Sequence, residues 1–197
     1  GQISAVTFFA KHAKNPPSKI CSVSPGVKAS KSMKIVAISE KEWMDLKNIR
    51  LSSLLDAPSA FGIRYQDAIN YSDEEWKLRA SNENGPRFFI AYIAEKAVGL
   101  VGGVFANNEY ELISMWVAPE YRRGSVSKGL VEALQTHALN EGHKVVILKV
   151  SPENKAADGL YRKCGFSVVG SGGALASNDS VALQKMEVHV PNQRLKF

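Results

Sequence analysis

With 197 residues, 45% of them hydrophobic and 22% charged, the chain can bury a core of one or two domains, which excludes a disordered chain and a collagen. The net charge of +6 belongs to residues 1–34, where Lys11, Lys14, Lys19, Lys28, Lys31 and Lys34 stand without an acid; the other 19 basic residues balance the 19 acids, so the body of the chain has no general attraction for nucleic acid. No run approaches about 18 apolar residues, so no membrane-spanning helix is expected, and two cysteines, Cys21 and Cys164, supply neither a disulfide framework nor a cysteine-rich zinc site, which makes a reducing cytoplasm the default compartment.

Residues 1–32 read as a basic arm rich in Ser, Lys and Pro, broken by Pro16-Pro17 and Pro25-Gly26. Its apolar patch, Ile3 to Ala10, has no charged segment before it and fits a secretory signal poorly. The arm reads as a solvated extension, with contact to an anionic polymer left open. Residues 33–190 then read as one domain, and residues 191–197 as a tail.

Met33 to Ile38 is predicted as a strand. Glu40 to Leu55 carries Trp43, Leu46, Ile49, Leu51 and Leu54 at helical spacing, with Ser39 as N-cap, and Asp56-Ala57-Pro58-Ser59 ends it. Ser72-Asp73-Glu74-Glu75 is a capping-box sequence and predicts a short helix to Ser81. Three strands follow, Arg87 to Ala94, Ala97 to Ala106 and Glu109 to Val117, separated at hairpin spacing by Glu95-Lys96 and Asn107-Asn108. Ser127 to Asn140 is a helix with Leu130, Val131, Leu134 and Ala138 on one face and Gly142 at its C-terminal cap. Lys144 to Val150 is an almost unbroken apolar run, which suits a strand covered on both faces. A short helix, Asn154 to Cys164, closes at Gly165, and strands Phe166 to Gly170 and Val181 to Val190 complete the order. A meander followed by a β-α-β unit predicts one α/β (α+β) domain: a mixed, mostly antiparallel sheet of about seven strands flanked by about four helices.

Several chemistries fail on spacing. Gly124 to Gly129 opens like a P-loop, but Leu130 and Val131 stand where Lys and Ser or Thr are required. There is no G-x-S-x-G elbow. His12, His137, His143 and His189 lack metal-ligand spacing, so no metal is expected, and His137 and His143 read as surface residues. Cys164 reads as a packed thiol. The segment Glu111 to Gly129 behaves differently. Its strand enters the turn Ala118-Pro119-Glu120-Tyr121, and Arg122-Arg123-Gly124-Ser125-Val126-Ser127-Lys128 then leads into the helix. A turn that delivers backbone N–H groups to a helix N-terminus can cradle an anion, and two arginines and a lysine favour a diphosphate. A solvated basic turn would carry the same charges.

Residues 117–131, V-A-P-E-Y-R-R-G-S-V-S-K-G-L-V, resemble the acetyl-CoA signature of the GNAT acyltransferase superfamily, whose core is R/Q-x-x-G-x-G/A. Asn154-Lys155-Ala156-Ala157 followed by Leu160-Tyr161-Arg162-Lys163-Cys164-Gly165-Phe166 is similar to that family's N-x-x-A-x-x-L-Y-x-x-x-G-F ending, and Leu55 to Gly62 resembles the first helix-to-loop segment of many bacterial members. The resemblance spans Met33 to His189 and implies the GNAT fold, acetyl-CoA as co-substrate and transfer of acetyl to a small-molecule or peptide amine. It further implies that Arg122, Arg123, Gly124, Ser125, Val126, Ser127 and Lys128 hold the pyrophosphate, that Met115, Trp116, Val117, Asn154 and Ala157 meet the rest of the cofactor, and that the Val117 N–H polarises the thioester. Tyr161 takes the role of acid to the leaving thiolate and Glu111 that of general base, with Glu109 the other carboxylate on the same strand face. The pattern departs from the family where Ser125 and Ser127 replace two glycines. A non-glycine residue forced to positive φ costs about 1–2 kcal/mol, and a non-catalytic, regulatory acyl-CoA-binding protein with a degenerate loop is the alternative. The acceptor is expected against Phe61 to Tyr71 and Gly170 to Ser180. A homodimer is left open, and neither nucleic acid nor membrane is expected as partner.

Overall fold

The computed structural model describes residues 32–83 and 85–190. The basic arm up to residue 31, with His12 and Cys21, and the tail of residues 191–197 lie outside the described residues. Seven strands form one sheet: β1 Met33–Ala37, β2 Arg87–Ile93, β3 Lys96–Ala106, β4 Glu109–Val117, β5 Val145–Val150, β6 Ser167–Leu175 and β7 Asn178–His189. Their spatial order is β1-β2-β3-β4-β5-β7-β6, and every neighbouring pair is antiparallel except β4 with β5. The helices are α1 Trp43–Asp56, α2 Tyr65–Ala68, α3 Asp73–Ser81, α4 Val126–Asn140 and α5 Lys155–Lys163. The fifth, α2, is a single turn that no apolar period announces.

Both faces of the sheet are covered, and β2 shows how. Phe88 and Ile90 join Leu46, Ile49 and Leu54 of α1 and Trp76 of α3, while the alternate residues Phe89 and Ala91 join Leu130, Val131 and Leu134 of α4. Alternation therefore sorts apolar residues between two cores instead of sorting apolar from polar. The Ser72 capping box forms as predicted, whereas Ser39 heads a 3-10 turn, Glu40–Glu42, that leads into α1. Ser39 N and Oγ each donate to Glu42 Oε2 at 2.8 Å, and Ser72 Oγ accepts from Glu75 N at 3.2 Å while Ser72 N donates to Glu75 Oε2 at 2.7 Å.

Three expectations need correction. The β2–β3 turn is Ala94-Glu95, with φ 48° and 63°, and Lys96 already pairs with Ile93. A type I′ two-residue turn, whose twist matches the flanking strands, has left-handed backbone at both positions, and this one adopts it without a glycine or asparagine. The stretch Gly170 to Ser180 is not a loop: β6 runs on to Leu175 and β7 starts at Asn178, in a glycine-rich hairpin whose bulges erase apolar alternation. His137 and His143 are partly buried instead of solvated. His137 meets Phe89 edge-on with ring centroids 5.5 Å apart, and His143 stacks on Phe105 at 4.7 Å.

Candidate active site

The site forms where β4 leaves β5. The two pair only at Tyr110 with Val146 and Glu111 with Ile147, and beyond that register a cleft opens. On its other side β4 carries a bulge: Leu100 faces Trp116 but Gly102 faces Ile113, so Ser114 and Met115 together oppose one residue of β3. Ser114 sits at φ 57° within it. Such an insertion re-aims side chains and sharpens the local twist. Past the bulge, Val117 stands opposite Gly99 while Ala118 N donates to Val98 O at 2.9 Å. That antiparallel pairing turns the N–H and C=O of Val117 away from β3, toward the opened side. The C=O accepts from Arg122 Nε at 2.8 Å.

Two cavities meet at this fork. One, of about 660 Å³, is walled by Met115, Ser151, Asn154, Ala157 and Tyr161. The other, of about 500 Å³, includes Arg50, Tyr71, Arg79 and Glu111. Phe61, Ser114 and Lys149 line both. The α1–α2 connection and the β6–β7 hairpin touch beside them: Ser177 Oγ donates to Phe61 O at 2.6 Å, and Arg64 Nη2 donates to Ser177 O at 3.1 Å.

Tyr161 is 6% exposed and packs edge-on against Phe166 at 5.7 Å. Burial, with a smaller contribution from Cys164, raises its phenol well above the ordinary tyrosine range, so it keeps its proton. Asn154 caps α5, its Oδ1 accepting from Ala157 N at 3.1 Å, which leaves the amide NH₂ for a ligand. Glu111 forms an ion pair with Lys149 at 3.1 Å, and Glu109 is matched by Lys185 of β7. Cys164 lines neither cavity, and burial first of all raises its thiol. Among the described residues no group of three His, Cys, Asp or Glu side chains is placed to hold a metal.

The basic loop lines neither cavity. Ser125 is the N-cap of α4 yet makes no side-chain cap bond, and its C=O opens the helix by accepting from Gly129 N at 2.9 Å. The first-turn N–H groups of a 15-residue helix thus lack a side-chain cap, and they carry its positive end. Ser125 is in ordinary right-handed geometry, φ −78° and ψ −11°, and Ser127 lies inside α4. The left-handed residue is Arg123, at φ 62°, so the conformational cost expected of the two serines falls two residues before Ser125. Lys128 pairs with Glu132 at 3.5 Å, and Arg122 pairs with Asp56. Arg123 has no such partner among the described residues.

Four of the expected cofactor contacts are buried: Val126 is 4%, Val117 and Tyr161 are 6% and Trp116 is 9% exposed. Of these only Tyr161 lines a cavity, and the Trp116 indole donates to Asp56 Oδ2 at 2.8 Å. Asp56 thus ties the end of α1 to β4 and to Arg122, and these hydrogen bonds, that of Trp116 first, hold its carboxyl below the usual range. Sequence reasoning missed Asp56, Ser114 and Lys149. Lys149 was visible as the one charge inside the apolar run of β5; nothing in the residue type marks Ser114 as a bulge.

The model of the acetyltransferase (GNAT) family matches residues 46–166. The chain belongs to the GNAT acetyltransferase family. Human N-acetyltransferase 8 is 28% identical over 122 residues, 58% of this chain and 54% of that protein, so the chain spans about half the length of this curated relative. A GNAT acetyltransferase from Streptococcus pneumoniae superposes with a TM-score of 0.66 at 21% identity, over 81% of this chain and 100% of that one. A Salmonella typhimurium structure solved with its cofactor acetyl-CoA gives 0.64 at 14%, over 84% of this chain and 98% of the other. At these identities the structures establish the GNAT fold.

Proposed function

We propose that the protein transfers acetyl from acetyl-CoA to an amine by direct attack, with both substrates bound together. The observation that carries this reading is the meeting of two cavities at the β4–β5 fork, with Tyr161 in one wall and Glu111 in the other. Cavity and loop fit the cofactor in kind: a cleft for the pantetheine arm beside Met115, Asn154 and Ala157, and a helix N-terminus without a side-chain cap for the pyrophosphate. Acetyl-CoA supplies the activated thioester. The Val117 N–H, which faces away from β3, would polarise its carbonyl.

The acceptor must be neutral to attack, and a lysine-like amine is neutral in about one molecule per 2,500 at pH 7. Glu111 would take its proton, directly or through water, with Lys149 holding one carboxylate oxygen and fixing its orientation. Tyr161, kept protonated by burial, would donate to the departing thiolate. No covalent intermediate is required, and the thiol of Cys164 is not at the fork.

The test is acetyl-CoA calorimetry combined with steady-state turnover on an amine panel. Tyr161→Phe should lower kcat by about 10²-fold or more while the acetyl-CoA Kd changes less than about threefold. Glu111→Gln should slow transfer most at low pH, where neutral amine is scarcest. Acetyl-CoA binding with no transfer to any amine would instead favour the regulatory reading, and equal turnover in Tyr161→Phe would remove the acid assignment.

A further inference from the structure

The cavity that receives the amine holds two guanidinium groups that acetyl transfer itself does not use. Arg50 of α1 and Arg79 of α3 both line it. Arg50 Cζ lies 4.5 Å from the Phe61 ring centroid and Arg79 Cζ 4.2 Å from that of Tyr71. Aromatic rings steady a guanidinium through its face, but they do not satisfy its five in-plane N–H donors. Among the described residues neither arginine has a carboxylate within 4.0 Å. Arg50 makes one long side-chain bond, Nη1 to Ser53 Oγ at 3.4 Å. The acid nearest Arg79 along its helix, Glu75, already accepts from Ser72 N at 2.7 Å in the capping box of α3. Burial, and then the neighbouring charge of Arg79, push the Arg50 guanidinium down to about 10. It remains a cation at neutral pH.

Two like charges sharing one pocket wall with open donors are unfavourable alone, and an anion between them relieves both burial and repulsion. The same lining includes the aromatic side chains of Phe61, Tyr71, Trp76 and Phe88. Trp76 is buried, and its indole N–H has no partner among the described residues. Glu111, Ser114 and Lys149 also line this cavity, and Ser114 and Lys149 are shared with the other. We propose that the acceptor is an amine that also bears a carboxylate, with the carboxylate seated on Arg50 and Arg79, an apolar or aromatic body along the wall, and the amine at the fork. Amino-acid-like and short peptide acids have this chemistry. Polyamines do not, because their second ammonium would meet the two arginines.

This inference rests on the acetyl-transfer reading, and the experiment separates the two. The probes are 4-(aminomethyl)benzoate and phenylalanyl-glycine, each compared with its uncharged carboxamide, and spermidine. All are assayed with acetyl-CoA on the full chain. At least one acid should exceed its own amide in kcat/KM by about tenfold or more, through KM, and should exceed spermidine. In Arg50→Gln and in Arg79→Gln that acid-to-amide ratio should collapse toward one. The ratio is internal to each variant, so a partly unfolded preparation does not imitate the effect, and the exposed Arg79 serves if Arg50→Gln fails to fold. Transfer to amides or spermidine at equal or higher efficiency would overturn the carboxylate site and leave the transferase standing. Transfer to none of the five would overturn the acetyl-transfer reading and this inference with it.

Discussion

Arg123 shows how one residue can reverse an argument made from residue type. Ser125 and Ser127 stand where the family's pattern has glycines, and glycine is the residue that tolerates left-handed backbone. The backbone is left-handed at neither serine; it is left-handed at Arg123, φ 62°. A side chain there costs about 1 kcal/mol relative to glycine. Comparing Arg123→Gly with Arg123→Ala isolates that cost, since both remove the guanidinium. The glycine variant should be more stable by about 1 kcal/mol in urea unfolding. Equal midpoints would mean that the loop adopts another conformation in solution. Both variants should bind acetyl-CoA less tightly than the native chain, because Arg123 is the loop cation without an acidic partner among the described residues.

At the scale of elements, the sequence was informative wherever a period or a cap decided the outcome. Ser72 and Asn154 mark helix starts that the structure reproduces, Ser39 starts the 3-10 turn ahead of α1, and the buried positions of α4 other than Val126 are those expected from its apolar spacing. It was uninformative where backbone geometry is imposed from outside: the bulge at Ser114, the Ala94-Glu95 turn and the bulged β6–β7 hairpin have no residue type that demands them. The site itself was half legible. Met115, Asn154, Ala157 and Tyr161 do line one cavity, whereas the arginine pair of the other comes from two helices whose approach no local pattern encodes. One tertiary contact can be tested directly. A Cβ added at Gly103 of β3 would collide with the Tyr110 hydroxyl of β4 and come within 2.6 Å of Leu134 Cδ1 on α4. Gly103→Ala should therefore cost about 1–3 kcal/mol. Tyr110→Phe removes the nearest colliding atom, a buried hydroxyl with no partner among the described residues. The double variant should recover at least about 0.5 kcal/mol of that loss. Strict additivity in the double-mutant cycle would show that the strand pair yields elsewhere.

For the whole molecule, hydrogen bonds and burial set opposite limits on the pH range. Hydrogen bonds hold the carboxyls of Glu42, Asp56 and Asp158 below their ordinary values, from Ser39, Trp116 and Arg162 in turn. Their contribution is present above the unfolded carboxylate range, near about 4, and is lost as pH falls through the lower folded values. Tyrosines act at the other end. Burial pushes Tyr110 up to about 12, and it raises Tyr92 and Tyr161 as well. Between about 10 and those folded values the unfolded chain has released its phenol protons and the fold has kept them. The folded state then binds more protons, so stability must decline as pH rises. Burial also lowers the His137 imidazole and raises the Cys164 thiol, so urea midpoints should be level only from about pH 7 to 8 and fall measurably by pH 11. Tyr110→Phe removes one of the titrating phenols, so its midpoint should fall less than that of the native chain between pH 9 and 11. An equal fall would place the alkaline loss in other groups. The same burial keeps Tyr161 protonated across the level region, so a loss of turnover within it would have to come from another group.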